Sequence, residues 1–237
     1  MPLSWLATSP YNPFPPLDQA RDDGLLAIGG DLSSRRLINA YRNGIFPWFN
    51  EHDPILWWAP DPRMVLFTDQ IKISKSLQKS IRKAQLTITM DKAFGDVMAA
   101  CAIPRKNKEG ELEAGTWIHP EMITAYTELH QQGIAHSVEC WYKGELVGGL
   151  YGLAIGKIFF GESMFSRRTD SSKIALVTLC RQLQRWGFPL IDCQVYSKHL
   201  ANMGAKEIDR QRFIHYLDDY CPQSHSEIKW TLDADLS

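Results

Sequence analysis

Sixty residues in the middle of the chain, 137–196, carry the pattern that most restricts the fold. Residues 137–141, 146–155 and 158–162 are three apolar, strand-like runs separated by short turns. Runs of this length joined by tight turns predict three neighbouring antiparallel strands. After Ser166 the hydrophobic period lengthens, and Asp170 or Ser171 is placed to cap a helix that Gly187 ends.

A last apolar run follows that helix, at residues 189–195. Successive side chains of a strand point to opposite faces, so a period of two puts Asp192 and Gln194 side by side on one face. Glu162 stands in a similar position at the end of an earlier strand. An inward-facing carboxylate is costly unless a partner or a substrate compensates it. These three residues are the first candidates for chemistry, although backbone amides can also satisfy Asp192 in a purely structural role.

Composition limits the classes of function. The chain has 237 residues, a net charge of -1, and 44% hydrophobic and 22% charged residues, as in an ordinary soluble globular protein. A nucleic-acid partner therefore requires a local basic patch. The five Cys form no C-x-x-C pair, which favours reduced thiols in a cytoplasmic protein. We find neither a leader-like N-terminus nor an apolar run of roughly 18 residues that would suit a membrane span.

One candidate patch lies on a predicted helix at residues 74–84. Its apolar residues share one helical face, and its basic residues share another face that no acidic residue interrupts. The basic face consists of Lys75, Lys79, Arg82 and Lys83. Either it docks a phosphate backbone or it is simply a solvated face, and the sequence leaves both interpretations open.

Aromatic residues crowd the segments 45–49 and 55–60. They predict either a small core under an N-terminal domain or an aromatic wall that stacks a base or holds an apolar side chain. Just before them, the glycines of residues 24–31 lack both phosphate-binding loop patterns, so we predict a plain turn.

Other motifs are incomplete. His119 and Glu121 match half of a zinc deaminase signature without its cysteine pair, and Cys221 with His225 supplies only two metal ligands. Ser163 lacks the G-x-S-x-G context of a hydrolase nucleophile. We therefore predict no metal site and no hydrolase chemistry.

Six blocks of the sequence resemble, in order and spacing, the bacterial leucyl/phenylalanyl-tRNA-protein transferases. The resemblance covers almost the whole chain. The blocks are Gly-Leu-Leu-Ala-Ile-Gly-Gly-Asp-Leu at 24–32, Gly-Ile-Phe-Pro-Trp-Phe at 44–49, Trp-Trp-Ala-Pro-Asp-Pro-Arg at 57–63, Gly-Thr-Trp-Ile at 115–118, Gly-Glu-Ser-Met-Phe-Ser at 161–166 and Ile-Asp-Cys-Gln at 191–194.

The resemblance implies an α+β fold: a small N-terminal domain at 1–62 and, at 63–237, an acetyltransferase-like domain with a mixed, mainly antiparallel sheet flanked by helices. It implies transfer of Leu or Phe, and less readily Met, from aminoacyl-tRNA to the N-terminal Arg or Lys of a protein, which marks that protein for N-end rule degradation. The partners are then aminoacyl-tRNA and acceptor proteins, with no cofactor and no membrane.

By the same match, Asp192 and Gln194 correspond to the family's catalytic pair and Glu162 to its assisting carboxylate. The match also implies which residues line the pocket for the aminoacyl side chain: Trp48, Trp117, Leu150, Ser163 and Phe165. The basic face of the helix at 74–84 would then hold the tRNA acceptor arm.

Two other functions remain as alternatives. A coenzyme A-dependent N-acetyltransferase would need a glycine-rich turn before the helix, and residues 167–172 contain no glycine. A non-catalytic RNA-binding adaptor would use the same basic helix without the candidate catalytic residues. The charged loop at 105–114 is predicted to be exposed.

Overall fold

The fold is known from a computed structural model, which describes residues 3–9, 11–83, 85–103, 118–224 and 229–236. Trp117 and the charged loop at 105–114 lie outside these ranges. A four-stranded sheet comes first, in the order β1-β2-β4-β3. It consists of β1 (Ser4–Leu6), β2 (Leu25–Gly29), β3 (Phe46–Pro47) and β4 (Leu56–Trp58).

A seven-stranded sheet forms the rest of the scaffold, in the order β11-β5-β10-β9-β8-β7-β6. Only β9 and β10 pair in parallel; the other neighbours in this sheet are antiparallel. Its strands are β5 (Arg63–Phe67), β6 (Thr87–Met90), β7 (Ala135–Tyr142), β8 (Glu145–Ile155), β9 (Ile158–Ser166), β10 (Leu190–Gln194) and β11 (Lys206–Ile208).

Helices cover both faces of this sheet. Residues of α1, α3, α4 and α7 pack into one hydrophobic core, and residues of α2, α5 and α6 pack into or against a second. The helices are α1 (Ser34–Arg42), α2 (Lys75–Lys83), α3 (Phe94–Cys101), α4 (Pro120–Gln131), α5 (Ser171–Arg185), α6 (Lys198–Asn202) and α7 (Arg210–Tyr220). The predicted α+β class, with its mixed, mainly antiparallel sheet, is confirmed.

The order of strands and helix predicted for residues 137–196 is also confirmed. The two predicted hairpins are β7-β8 and β8-β9, and α5 follows before β10. Asp170 precedes the helix without capping it through its side chain, because its φ is 63° and its carboxylate accepts hydrogen bonds from Ser80 and Lys173. That bond to Ser80 fixes α2 against the start of α5.

The prediction for residues 24–31 is wrong. Residues 24–31 are not a plain turn, since Leu25–Gly29 forms β2 between β1 and β4. Leu25, Leu26 and Ala27 are buried, so apolar burial outweighs the glycines, which adopt positive φ only at the ends of the strand. The first sheet lies within residues 4–58 and the second within 63–208. The division into domains at 1–62 and 63–237 stays a prediction.

Candidate active site

A cavity opens where two neighbouring strands separate. β9 and β10 pair only through Ile191 with Phe159 and through Asp192 with Phe160, and beyond these pairs the strands diverge. A cavity of about 560 Å³ lies at this point, within the size range of small-molecule sites. Its wall includes Glu162, Asp192 and Gln194, so the structure brings together the three candidate catalytic residues.

The cavity has two chemically different walls. The side facing α5 is apolar and draws its residues from the second core. This apolar wall consists of Leu150, Phe159, Met164, Leu176, Leu179 and Ile191. The opposite side holds Tyr151 and Glu162, with Trp48 and Ile103 exposed towards the mouth. A ligand can therefore place an apolar group on one side of the diverging strands and a polar group on the other.

Asp192 is held by a fully buried ion pair. Arg63, from the adjacent strand β5, donates from Nε to Oδ1 at 2.8 Å and from Nη2 to Oδ2 at 2.7 Å. Its remaining nitrogen donates to the Gly44 carbonyl at 3.0 Å, and the rings of Phe46 and Phe213 lie within 5 Å of its guanidinium. Bidentate pairing of this kind fixes geometry as well as charge. Asp192 is thus a compensated carboxylate whose two oxygens are already engaged.

A β-bulge directs Gln194 away from that ion pair. The pairing of β10 with β5 shifts between Asp192 and Gln194, leaving Cys193 as an extra residue. Gln194 has a φ of 64°, and its backbone N–H donates to Asp192 Oδ1 at 2.9 Å. The predicted uninterrupted alternation is therefore wrong at Cys193. Asp192 turns towards β5, whereas the Gln194 side chain reaches Glu162 on β9.

Glu162 is the centre of a hydrogen-bond network. Its Oε1 accepts from Tyr41 Oη and from Gln194 Nε2, both at 2.8 Å, and its Oε2 accepts from Tyr126 Oη at 3.1 Å. The two tyrosine hydroxyls also lie within hydrogen-bonding distance of each other. Because Gln194 donates through its amide nitrogen, its carbonyl oxygen is left to accept a hydrogen bond from a ligand.

Burial raises the pKa of Glu162 to about 7, and the charge of Asp192 contributes to the rise. The hydrogen bonds from Tyr41, Tyr126 and Gln194 act in the opposite direction, because they stabilise the charged form. The effect of desolvation on the pKa of Glu162 exceeds the effect of these hydrogen bonds. Glu162 therefore changes its charge near neutral pH, unlike an ordinary surface carboxyl group.

The other predicted pocket residues divide into three groups. Trp48, Leu150 and Ser163 line the cavity. Phe165 is buried in the core cluster that also contains Val97, and it is not among the cavity-lining side chains of the described ranges. Trp117 lies outside those ranges. Of the aromatic segments, Phe46, Phe49 and Trp57 are buried, so the small-core interpretation fits these, whereas Trp48 is 44% exposed at the cavity.

The predicted basic helix is present as α2. Leu77 is buried on its inner side, and the four basic residues are exposed. These residues, Lys75, Lys79, Arg82 and Lys83, form no ion pair with any residue that the structure describes. The patch is thus a free cationic surface in this part of the chain.

Sequence reasoning missed Arg63, Tyr41, Tyr126 and most of the apolar wall. Arg63 had a usable signal, because it is the only charged residue of the buried strand β5, as Asp192 is of β10. The two tyrosines had none, since each lies on the buried face of an amphipathic helix and is typical of core packing there.

Two negative findings apply to the described residues only. No group of three or more His, Cys, Asp and Glu side chains is placed to hold a metal ion. No helix is both long and apolar enough to cross a membrane.

Comparison with known proteins assigns the family. The model of the leucyl/phenylalanyl-tRNA protein transferase family matches residues 65–218, and the model of its N-terminal domain matches residues 30–61. Among solved structures, a GCN5-related N-acetyltransferase from Kribbella flavida has a TM-score of 0.38 and 12% identity, covering 69% of this chain and 56% of its own. That similarity is too low to carry an argument.

Curated relatives are far more similar. A leucyl/phenylalanyl-tRNA–protein transferase from Nitrosomonas europaea is 60% identical over 223 residues, which cover 93% of this chain and 92% of the relative. The protein of the same name from Nitrosospira multiformis is 55% identical over 233 residues, covering 98% and 97%. This chain therefore belongs to the leucyl/phenylalanyl-tRNA–protein transferase family.

Proposed function

We propose that the protein transfers Leu or Phe, and less readily Met, from aminoacyl-tRNA to the N-terminal Arg or Lys of an acceptor protein. The observation that carries the proposal is the cavity between β9 and β10, where an apolar wall lies beside the pair formed by Glu162 and Gln194. Family membership supports the same donor and the same kind of acceptor.

The aminoacyl side chain lies in the cavity against the apolar wall under α5. Leu, Phe and Met share an unbranched Cβ, so all three can pass a narrow entrance and bury their bulk at depth. Ile and Val carry a second heavy atom on Cβ and would clash there. A clash discriminates more strongly than one missing methylene, which alone changes rates only about 10- to 200-fold.

The reaction needs positioning more than activation. The amine nitrogen of the acceptor attacks the ester carbonyl carbon, the bond from that carbon to the ribose oxygen breaks, and the amine proton passes to the departing oxygen. The ester is already activated, so aminolysis runs downhill. A free α-amino group has a pKa of about 7.7–8.0, so a usable fraction is neutral near pH 7.

Gln194 orients the attacking amine. Its nitrogen donates to Glu162, which leaves its carbonyl oxygen to accept a hydrogen bond from the amine. Asp192 corresponds to a catalytic residue of the family, but its oxygens are engaged by Arg63 and by the Gln194 backbone. We assign Asp192 the task of holding Gln194 in place. Holding two reactants in contact supplies much of the acceleration.

The tRNA acceptor arm docks on α2. Four exposed cations without acidic partners in the described ranges suit phosphate contacts that position an RNA largely without regard to its sequence. The acceptor protein is then marked for N-end rule degradation. A cytoplasmic location is part of the proposal, and it is supported by five cysteines that form no C-x-x-C pair.

The decisive experiment mixes radiolabelled Leu-tRNA with a peptide that begins with Arg and measures label in the peptide. We expect transfer without added nucleotide or coenzyme, and no transfer to an otherwise identical peptide beginning with Glu. No labelled Arg peptide under conditions where the folded protein binds the tRNA would refute the proposal and favour a non-catalytic RNA-binding adaptor. Gln194→Asn separates the two further, because an adaptor would not need the Gln194 side chain.

A further inference from the structure

Tyr151 carries a buried hydroxyl that no described residue uses. The residue lies in β8 with 1% of its surface exposed, and its Oη is shielded from solvent without a hydrogen-bond partner in the described ranges. Tyrosine hydroxyls usually find a partner when they are buried, since an unsatisfied polar group is costly. The position is explained if a substrate supplies the partner.

Tyr151 lies on the polar side of the cavity. It contributes to the cavity wall, and it pairs across the sheet with Ser163, the residue after Glu162. Its ring centre is 6.0 Å from that of Tyr126, whose hydroxyl donates to Glu162. Burial, followed by the charge of Glu162, raises the pKa of Tyr151 well above its usual value, so the hydroxyl stays protonated.

The polar side presents several oxygen acceptors and no cation. A carboxylate offers about four acceptor positions, and the described residues use three of those on Glu162. One position therefore remains on Oε2, together with the oxygen of Tyr151. No Lys or Arg is among the described residues that line the cavity. Asp192 pairs with Arg63, whereas Glu162 forms no ion pair with any residue that the structure describes. Such a surface complements a group with several N–H donors and a positive charge.

We infer that this compartment receives the cationic side chain of the acceptor's N-terminal Arg or Lys, and that the Tyr151 hydroxyl accepts a hydrogen bond from it. Tyr151 is then a specificity-determining residue for the acceptor. The inference rests on the proposed function and names the subsite that the acceptor would occupy. It leaves the apolar wall to the donor, so the two substrates approach from opposite sides of the diverging strands.

The test is Tyr151→Phe, which removes one oxygen and keeps the ring. Transfer is measured with three peptides that differ only in the first residue: Arg, Lys and the neutral analogue citrulline. We expect the KM for the Arg and Lys peptides to rise about tenfold or more, because hydrogen bonds to charged groups are among the stronger ones. The kcat and the KM for Leu-tRNA should stay within about twofold of the parent values. The preference for Arg over citrulline should fall.

Tyr216→Phe is the matched control. Tyr216 lies on α7 and packs against Phe67, and it is not among the cavity-lining residues of the described ranges. It should leave all these constants unchanged. Tyr151→Phe should unfold at the same temperature as the parent or a higher one, since it removes an unsatisfied polar group. The inference is overturned if Tyr151→Phe leaves the acceptor KM unchanged, or if it raises the KM equally for the Arg and citrulline peptides. In either case, transfer by the parent protein still supports the proposed function. A parent without transfer overturns both.

Discussion

The backbone N–H of Gln194 lies 2.9 Å from Oδ1 of Asp192, only two residues earlier in the same strand. This bond closes the β-bulge at Cys193 and accompanies a φ of 64° at Gln194, a left-handed conformation that non-glycine residues rarely adopt. The bulge turns the Gln194 side chain towards Glu162. The buried ion pair between β5 and β10 thus sets the direction of a candidate catalytic amide at the end of β10.

Gln194→Asn should retain the fold and lose activity. Asn tolerates a positive φ better than most residues, so the bulge should persist, but its shorter side chain cannot reach both Glu162 and the amine. We expect kcat to fall by about 100-fold, the size of loss that a misplacement of about 1 Å produces. The measurement is single-turnover transfer from Leu-tRNA. Lys143→Asn, at a turn with a φ of 51°, is the matched control and should transfer at the parent rate.

Removing one member of the Arg63–Asp192 pair should be strongly destabilising. Both side chains are at most 1% exposed, so Asp192→Ala leaves a buried, uncompensated guanidinium. Such changes cost about 3–5 kcal/mol, whereas replacing both members by apolar residues of similar volume is often neutral. The double variant Arg63→Met with Asp192→Leu should therefore recover most of the free energy of unfolding measured in urea.

The double variant should nevertheless transfer poorly. It lacks the carboxylate that holds the Gln194 backbone, so stability and activity should separate. Recovery of the parent transfer rate together with the stability would show that Asp192 does not position Gln194.

Local elements of this fold could be predicted from the sequence because their signals are local. The hairpins of β7, β8 and β9 and the helix α5 follow from hydrophobic period and turn residues alone. The contact between Arg63 and Asp192 could not, since the two residues are 129 positions apart and meet only through the pairing of β5 with β10. The β-bulge at Cys193 could not be predicted either, because one extra residue does not produce a recognisable change in the hydrophobic pattern.

The sequence therefore predicted three polar residues of the candidate site and missed the partners that hold them. Glu162 and Gln194 stood out as polar groups in apolar strands, but their contact depends on how the strands diverge. Tyr41 and Tyr126 reach Glu162 from the buried faces of α1 and α4. In each case the partner comes from a remote element, which no local pattern specifies.

Substitutions of Leu150 should change the choice between Leu and Phe in opposite directions. Leu150 lies on the apolar wall, so Leu150→Ala should enlarge the pocket and favour Phe, whereas Leu150→Phe should fill it and favour Leu. We expect the ratio of kcat/KM values for Leu-tRNA and Phe-tRNA to change about tenfold each way. Leu153→Ala removes an equally buried side chain away from the cavity and should lose stability without changing the ratio. A ratio that stays constant in both Leu150 variants would contradict the assigned pocket.

Replacing Lys79 and Arg82 by Ala should flatten the salt dependence of tRNA binding. Each phosphate contact releases condensed counterions, so losing two should lower the slope of log K against log salt by about 1.4–1.8. Binding is followed by fluorescence anisotropy of labelled tRNA at several salt concentrations. The control pair Arg21→Ala and Lys206→Ala removes two exposed cations from other surfaces and should keep the parent slope. A parent-like slope in the α2 variant would exclude α2 as the phosphate-docking surface.

The pH dependence of acceptor binding should report the ionisation of Glu162. Its folded-state pKa of about 7 means that the side chain is mostly neutral at pH 6 and mostly ionised at pH 8. Only the ionised form attracts a cationic acceptor, so the KM for an Arg peptide should fall about tenfold as the pH rises across this range.

Glu162→Gln should abolish the change in KM while kcat still rises with deprotonation of the α-amino group. Tyr126→Phe should move the midpoint to higher pH, because it removes a hydrogen bond that lowers the pKa of Glu162. A midpoint that stays in place in Glu162→Gln would assign the titration to another group.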